Sequence, residues 1–171
     1  MEEHSGIVTI EGSPLTLLGK KLRTGDEAPS FKVLSNDLKP VDLSEYKGKI
    51  LIISSVPSLD TPVCDLETRR FNQEAEKLGP DVVVLTISMD LPFAQKRWCG
   101  AAGVNNVITL SDHRDASFGQ AYGMLIKELR LLARSVFVID KAGVIRYIQV
   151  VQEVTNEPDY EAILQAVKEI T

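Results

Sequence analysis

Two stretches of the chain are apolar without interruption, Ile50-Leu51-Ile52-Ile53 and Val82-Val83-Val84-Leu85. Runs of this kind suit parallel strands covered on both faces, whereas a strand with one wet face alternates. Between them, the segment from Pro62 to about Leu78 sets Cys64, Phe71, Ala75 and Leu78 at spacings of 7, 4 and 3, which is one stripe of a helix. Gly79-Pro80 ends it. Strand Lys49 to Val56, this helix and strand Asp81 to Ser88 therefore form a βαβ unit, whose crossover is expected to be right-handed. Further on, Leu91 to about Ala101 reads as a second helix, Val107 to Leu110 as a third strand, and Asp115 to Met124 as a short helix or helical turn. Ser135 to Ile139 reads as a fourth strand, turned by Asp140-Lys141-Ala142-Gly143 into Val144 to Val151. Pro158 opens a closing helix with Tyr160, Ile163, Leu164, Val167 and Ile170 on one face. Ahead of all this, Ile7 to Ile10 and Leu15 to Leu18 flank Glu11-Gly12-Ser13-Pro14 and read as an appended hairpin with a four-residue turn. Phe31 to Leu34 follows as a short strand.

The order βαβ, helix, hairpin, helix is that of a thioredoxin-like α/β fold: a central mixed sheet flanked by helices, with residues 1–18 as an N-terminal β-hairpin extension. A length of 171 residues suits a single domain, 1–171, able to bury its own core. Composition then removes several function classes. The formal net charge is -5 and no basic stripe is present, so no nucleic-acid partner is expected. No apolar run approaches the roughly 20 residues of a membrane span. Met1 to Gly6 carries Glu2 and Glu3 and no apolar signal core, so a cytoplasmic location is expected. Two cysteines and two histidines, His4 and His113, are not at the short paired spacings of zinc sites, so no metal is expected.

The candidate chemistry lies where the first buried strand ends. Pro57 stops the strand, Thr61 is a preferred N-cap type and Pro62 fits the first helical position, which makes Cys64 the third helical residue. A helix's first turn has unpaired N–H groups and about half a positive charge, both of which stabilise a thiolate. The Thr61 hydroxyl, one turn away, is in range of the sulfur or of a bound oxygen. A buried cysteine acting only as a small hydrophobe satisfies the same helical stripe, so periodicity does not separate the two readings. Thioredoxins carry C-x-x-C at this point of the fold. Here Thr61-Pro62-Val63-Cys64 lacks the first cysteine, so dithiol exchange within four residues is impossible.

Pro57, Thr61 and Cys64 spell P-x-x-x-T-x-x-C, which resembles the active-site motif of peroxiredoxins. The longer string S-V-P-S-L-D-T-P-V-C, Ser55 to Cys64, resembles the thiol peroxidase subfamily, the atypical 2-Cys peroxiredoxins. So do G-D-E-A-P-S-F at Gly25 to Phe31 and L-L-A-R-S-V-F-V-I-D at Leu131 to Asp140. The resemblance implies that Cys64 is the peroxidatic cysteine, that Pro57 shields it, and that Thr61 and Arg134 hold the peroxide oxygens. It implies Cys99, in Arg97-Trp98-Cys99-Gly100, as the resolving cysteine that forms an intramolecular disulfide with Cys64. Hydroperoxide as substrate, thioredoxin as reductant, a homodimer and no cofactor are implied as well. Cys99 lies some eight residues into its helix, about 12 Å along the axis, whereas a disulfide needs Cα atoms within about 7 Å. Closing the bond is therefore expected to require local unwinding.

Taken alone, Arg134 beside a strand suits a solvated flank or an ion-pair partner equally well. His113, in Ser111-Asp112-His113-Arg114, is conceivable as a general base for Cys64, though a loop histidine is more often only solvated. Leu59 and Val63, with the Met124 region, are expected to favour alkyl hydroperoxides, and the segment Phe118 to Met124 is offered as a dimer contact. A thiol-disulfide oxidoreductase and a redox-switched binding module remain as rival functions.

Overall fold

The computed structural model describes residues 1–171. Eleven strands and four α-helices follow one another as β1 (Glu3–Ile10), β2 (Ser13–Leu18), β3 (Lys32–Leu34), β4 (Pro40–Asp42), β5 (Ile50–Ser55), α1 (Pro62–Leu78), β6 (Val82–Ser88), α2 (Pro92–Ala102), β7 (Ile108–Ser111), α3 (Ser117–Tyr122), β8 (Leu125–Ile126), β9 (Leu131–Leu132), β10 (Ser135–Ile139), β11 (Ile145–Val150) and α4 (Tyr160–Ile170). A seven-stranded sheet has the order β11-β10-β5-β6-β7-β3-β4. Its three central strands are parallel, Ile52 opposite Val84 and Leu85 opposite Ile108, and β10 runs antiparallel beside β5. The uninterrupted apolar runs are thus strands covered on both sides, as their pattern requires.

The two faces carry different layers. Cys64 and Phe71 of α1, Trp98 of α2 and Ile163 and Val167 of α4 pack on one face against Ile50, Ile52, Val136 and Val138. Phe118 and Tyr122 of α3 pack on the other with Leu17, Leu51, Ile53, Phe137 and Ile139. Successive residues of β5 and β10 alternate between these cores, the period of two that a strand imposes.

The N-terminal hairpin is more than an appendage. Leu17 and Leu18 of β2 pair with Ile126 and Leu125 of β8, which pairs in turn with β9, so a second, four-stranded sheet closes over α3. The hairpin turn is also tighter than its sequence suggests, because Ile10 pairs directly with Ser13. Glu11 and Gly12 alone make the turn, with φ of 48° and 82°, and the positive values are those a two-residue hairpin needs. Glu153 stabilises the unusual Glu11 conformation: its carboxylate accepts the N–H groups of Glu11 and Gly12 at 3.1 and 3.0 Å and the Thr9 hydroxyl at 2.8 Å. Those bonds, Gly12's first, then those from the Thr155 and Thr9 hydroxyls, hold the Glu153 carboxyl well down, at about 2. Phe118 and Tyr122 are fully buried, so the segment Phe118 to Met124 presents its aromatic face inward. No helix is long and apolar enough to cross a membrane.

Candidate active site

The site forms where β5 delivers the chain to α1. Thr61 has extended backbone angles, φ -96° and ψ 148°, Pro62 takes the first helical position and Cys64 is the third helical residue. One detail departs from the expected cap. The Thr61 hydroxyl donates to the Ser58 carbonyl at 2.9 Å and makes no capping bond to the helix, and it makes no bond to the sulfur. Only the Thr61 carbonyl serves the helix, accepting from the Asp65 N–H at 3.0 Å.

Cys64 has 0% exposure and its sulfur meets a cation. Arg134 Nη2 donates to Cys64 Sγ at 3.3 Å. The arginine is itself 2% exposed, which rules out the solvated-flank reading. Three further bonds fix its plane: Nε and Nη2 donate to the Val154 carbonyl at 3.0 and 2.8 Å, and Nη1 donates to Glu67 Oε1 at 3.0 Å. Glu67 is also fully buried, and its second oxygen accepts the Ser54 hydroxyl at 2.5 Å. Burial pushes the Glu67 carboxyl above the usual range, while Arg134 and Ser54 pull it back. Burial likewise disfavours the Arg134 cation, but the charges of Glu67 and Cys64 outweigh it and hold the guanidinium's pKa above its ordinary value. A buried charge persists only with such partners.

Sequence reasoning passed over Glu67. A signal was present: Cys64, Glu67, Thr68 and Phe71 fall at i, i+3, i+4 and i+7, so an acid occupies the inward stripe and demands a buried cation. The hairpin also reaches this site. The Thr9 N–H donates to the Gln152 carbonyl at 2.7 Å and the Val154 N–H donates to the Thr9 carbonyl at 3.0 Å, so β1 positions the carbonyl that grips Arg134.

Asp90 was overlooked too, and it ties the Cys64 loop to α2. Its carboxylate accepts from the Ser58 hydroxyl at 2.6 Å, the Leu59 N–H at 2.8 Å and the Ser88 hydroxyl at 2.8 Å. Asp60 and Arg97 add an exposed ion pair at 3.6 Å, and Trp98 Nε1 donates to Asp65 at 3.1 Å. Cys99 is half-buried, with its sulfur 3.3 Å from the Thr109 hydroxyl oxygen. That hydroxyl gives its proton to Asn36 at 3.1 Å, so the Cys99 thiol is the donor to Thr109. The two cysteines are unbonded. The His113 backbone N–H donates to the Ser111 hydroxyl, and its imidazole has no part in the Cys64 environment. Met124 belongs to the core on the opposite face of the sheet, so of the expected apolar group only Leu59 shares the core of Cys64.

A buried thiol at a helix N-terminus, held by a fixed guanidinium, is an arrangement for nucleophilic sulfur chemistry. The family description Redoxin matches residues 23–164. The chain belongs to the redoxin family. Among its relatives, a thiol peroxidase of Bacillus subtilis is 59% identical over 161 residues, covering 94% of this chain and 96% of the relative. A thiol peroxidase of Oceanobacillus iheyensis is 60% identical, covering 92% of this redoxin and 95% of the relative. A peroxiredoxin-like protein from Aquifex aeolicus superposes with a TM-score of 0.90 at 42% identity, over 98% of this chain and 99% of the other. These matches support a peroxidase enzyme, an oxidoreductase acting on hydroperoxides.

Proposed function

We propose that Cys64 is the residue that the hydroperoxide oxidises, with Arg134, Thr61 and Pro57 arranging the hydroperoxide and Cys99 resolving the product. The reading rests above all on the 3.3 Å approach of Arg134 to a wholly buried sulfur. The Cys64 thiolate attacks the terminal oxygen of the hydroperoxide. An S–O bond forms as the O–O bond breaks, and the departing alkoxide or hydroxide takes a proton and leaves as alcohol or water. Arg134 draws the developing negative charge with donors already oriented by Glu67 and Val154, so little reorganisation is needed. The Thr61 hydroxyl has given its proton to Ser58, which leaves its oxygen free to accept the O–H of the substrate. Pro57, at the bend after β5, shields the sulfur from water. The sulfenic acid is the reversible first rung of thiol oxidation.

The Cys99 sulfur then attacks the Cys64 sulfur, forming the disulfide and releasing water. That step requires the Asp90, Asp60–Arg97 and Asp65–Trp98 attachments to loosen, because α1 and α2 are held in register by all three. An external dithiol of the thioredoxin type reduces the disulfide. A homodimer in the cytoplasm is the state in which we place the cycle, and the route needs no metal, haem or flavin. Consumption of cumene hydroperoxide and hydrogen peroxide with a thioredoxin reducing system tests it. Cys64→Ser should abolish turnover and Cys99→Ser should complete one turnover and stall. Retained turnover in Cys64→Ser would remove the proposal.

A further inference from the structure

On the face of the large sheet away from Cys64, the second sheet leaves a cavity of about 250 Å³. Ile7 and Leu17 of the hairpin, Met124 after α3, Phe137 of β10 and Ile148 of β11 form its apolar walls. Phe137 points into this core while its neighbours Val136 and Val138 point into the Cys64 core, so the cavity and the thiol site are separated by the sheet itself. The polar lining is confined to His4, Lys21 and Thr24. Lys21 and Thr24 are exposed and mark the mouth. Lys21 forms no ion pair, in a chain whose net charge is -5. His4 also lines the cavity, with its Nε2 3.5 Å from the Glu2 carboxylate.

We propose that this cavity is a binding site for a medium-chain carboxylate, its tail among Ile7, Leu17, Phe137 and Ile148 and its head group at Lys21. The size sets the chain length. A cavity of about 150 Å³ takes the six carbons of benzene, so by proportion this one takes roughly ten heavy atoms, the number in octanoate. The apolar lining accounts for the tail, and the unpaired Lys21 at the mouth accounts for an anionic head. Residues of the thiol site take no part, so the site stands whether or not the roles assigned to Cys64 and Cys99 hold.

Isothermal titration of the full chain with octanoate tests the site, with octanol and butyrate as probes of the head and the tail. Octanoate should bind one to one, octanol about tenfold more weakly, and butyrate not at all. Ile148→Trp, which fills the cavity, should remove binding, Lys21→Glu should weaken it about tenfold, and Cys64→Ser should leave it unchanged. Methyl resonances of Ile7, Met124 and Ile148 in the unsubstituted protein should shift on titration, a readout that stands even if Ile148→Trp fails to fold. Absence of heat at millimolar octanoate, equal affinity for octanol, or shifts confined to methyls on the Cys64 face would overturn the proposal.

Discussion

Replacing Glu67 by Gln isolates what the buried acid does for Arg134. The amide keeps the shape, its oxygen still accepts from Arg134 Nη1, and its NH2 group reverses the bond to the Ser54 hydroxyl. What is lost is the charge. Removing one partner of a buried ion pair costs about 3 to 5 kcal/mol, and the two bonds to the Val154 carbonyl place this variant near the lower end. In a chain of 171 residues a loss of about 3 kcal/mol lowers the melting temperature by roughly 6 to 12 °C. Urea unfolding should therefore show a lower midpoint with an unchanged slope. The rate of thiol oxidation by cumene hydroperoxide should fall about tenfold, since a guanidinium no longer held by Glu67 orients the sulfur and the substrate less well. Replacing both partners, Glu67→Leu with Arg134→Met, should recover most of the stability and none of the rate, because an apolar pair removes the uncompensated charge but supplies no donors. A Glu67→Gln variant with stability within about 0.5 kcal/mol of the parent and an unchanged rate would refute the role given to the acid.

Three more outcomes follow from named groups. Asp112 is buried beneath α3, and burial raises its carboxyl to about 6 although the N–H groups of Gly119, Phe118 and Ser117 oppose the shift. A raised pKa means stability that is full below the unfolded value of 3.8 and lost as pH rises through about 6. Stability profiles should show that decline, and Asp112→Asn should flatten it. Glu153 has the opposite sign: its stabilisation of the hairpin turn is present above 4.5 and disappears as pH falls through about 2, so Glu153→Gln should lose acid dependence in that window. Asp90→Asn weakens charge-assisted bonds worth about 1.5 to 3 kcal/mol each, so disulfide formation after oxidation should accelerate while thiol oxidation slows. The emission of Trp98, the single tryptophan, should report the step because its bond to Asp65 breaks. An unchanged ratio of the two rates would dissociate Asp90 from the loop's motion.

The elements that carry long apolar runs or complete helical stripes were legible in the sequence. The central strands, α1 with Cys64 in its first turn, and α4 all stand within about two residues of their expected bounds, because burial on both faces leaves little choice of residue. What escaped was short or non-local. The strands β8 and β9 have two residues each and no period to read, so the second sheet and its cavity were invisible. Arg134 is drawn inward by Glu67, 67 positions away, and by a carbonyl that the hairpin positions, relations that no local pattern encodes. Thr61 has the right type and the right backbone angles for a cap, yet the Ser58 carbonyl captured its hydroxyl, a competition between neighbours that propensity does not resolve.

The central claim is that the sulfur held by Arg134 is the atom that takes oxygen from a hydroperoxide. Cys99→Ser treated with one equivalent of cumene hydroperoxide, then with a sulfenic-acid trap, tests this directly by peptide mass spectrometry. The account predicts stoichiometric trapping on the peptide containing Cys64, with an equal amount of cumyl alcohol released. Alcohol released with Cys64 still a free thiol would contradict it.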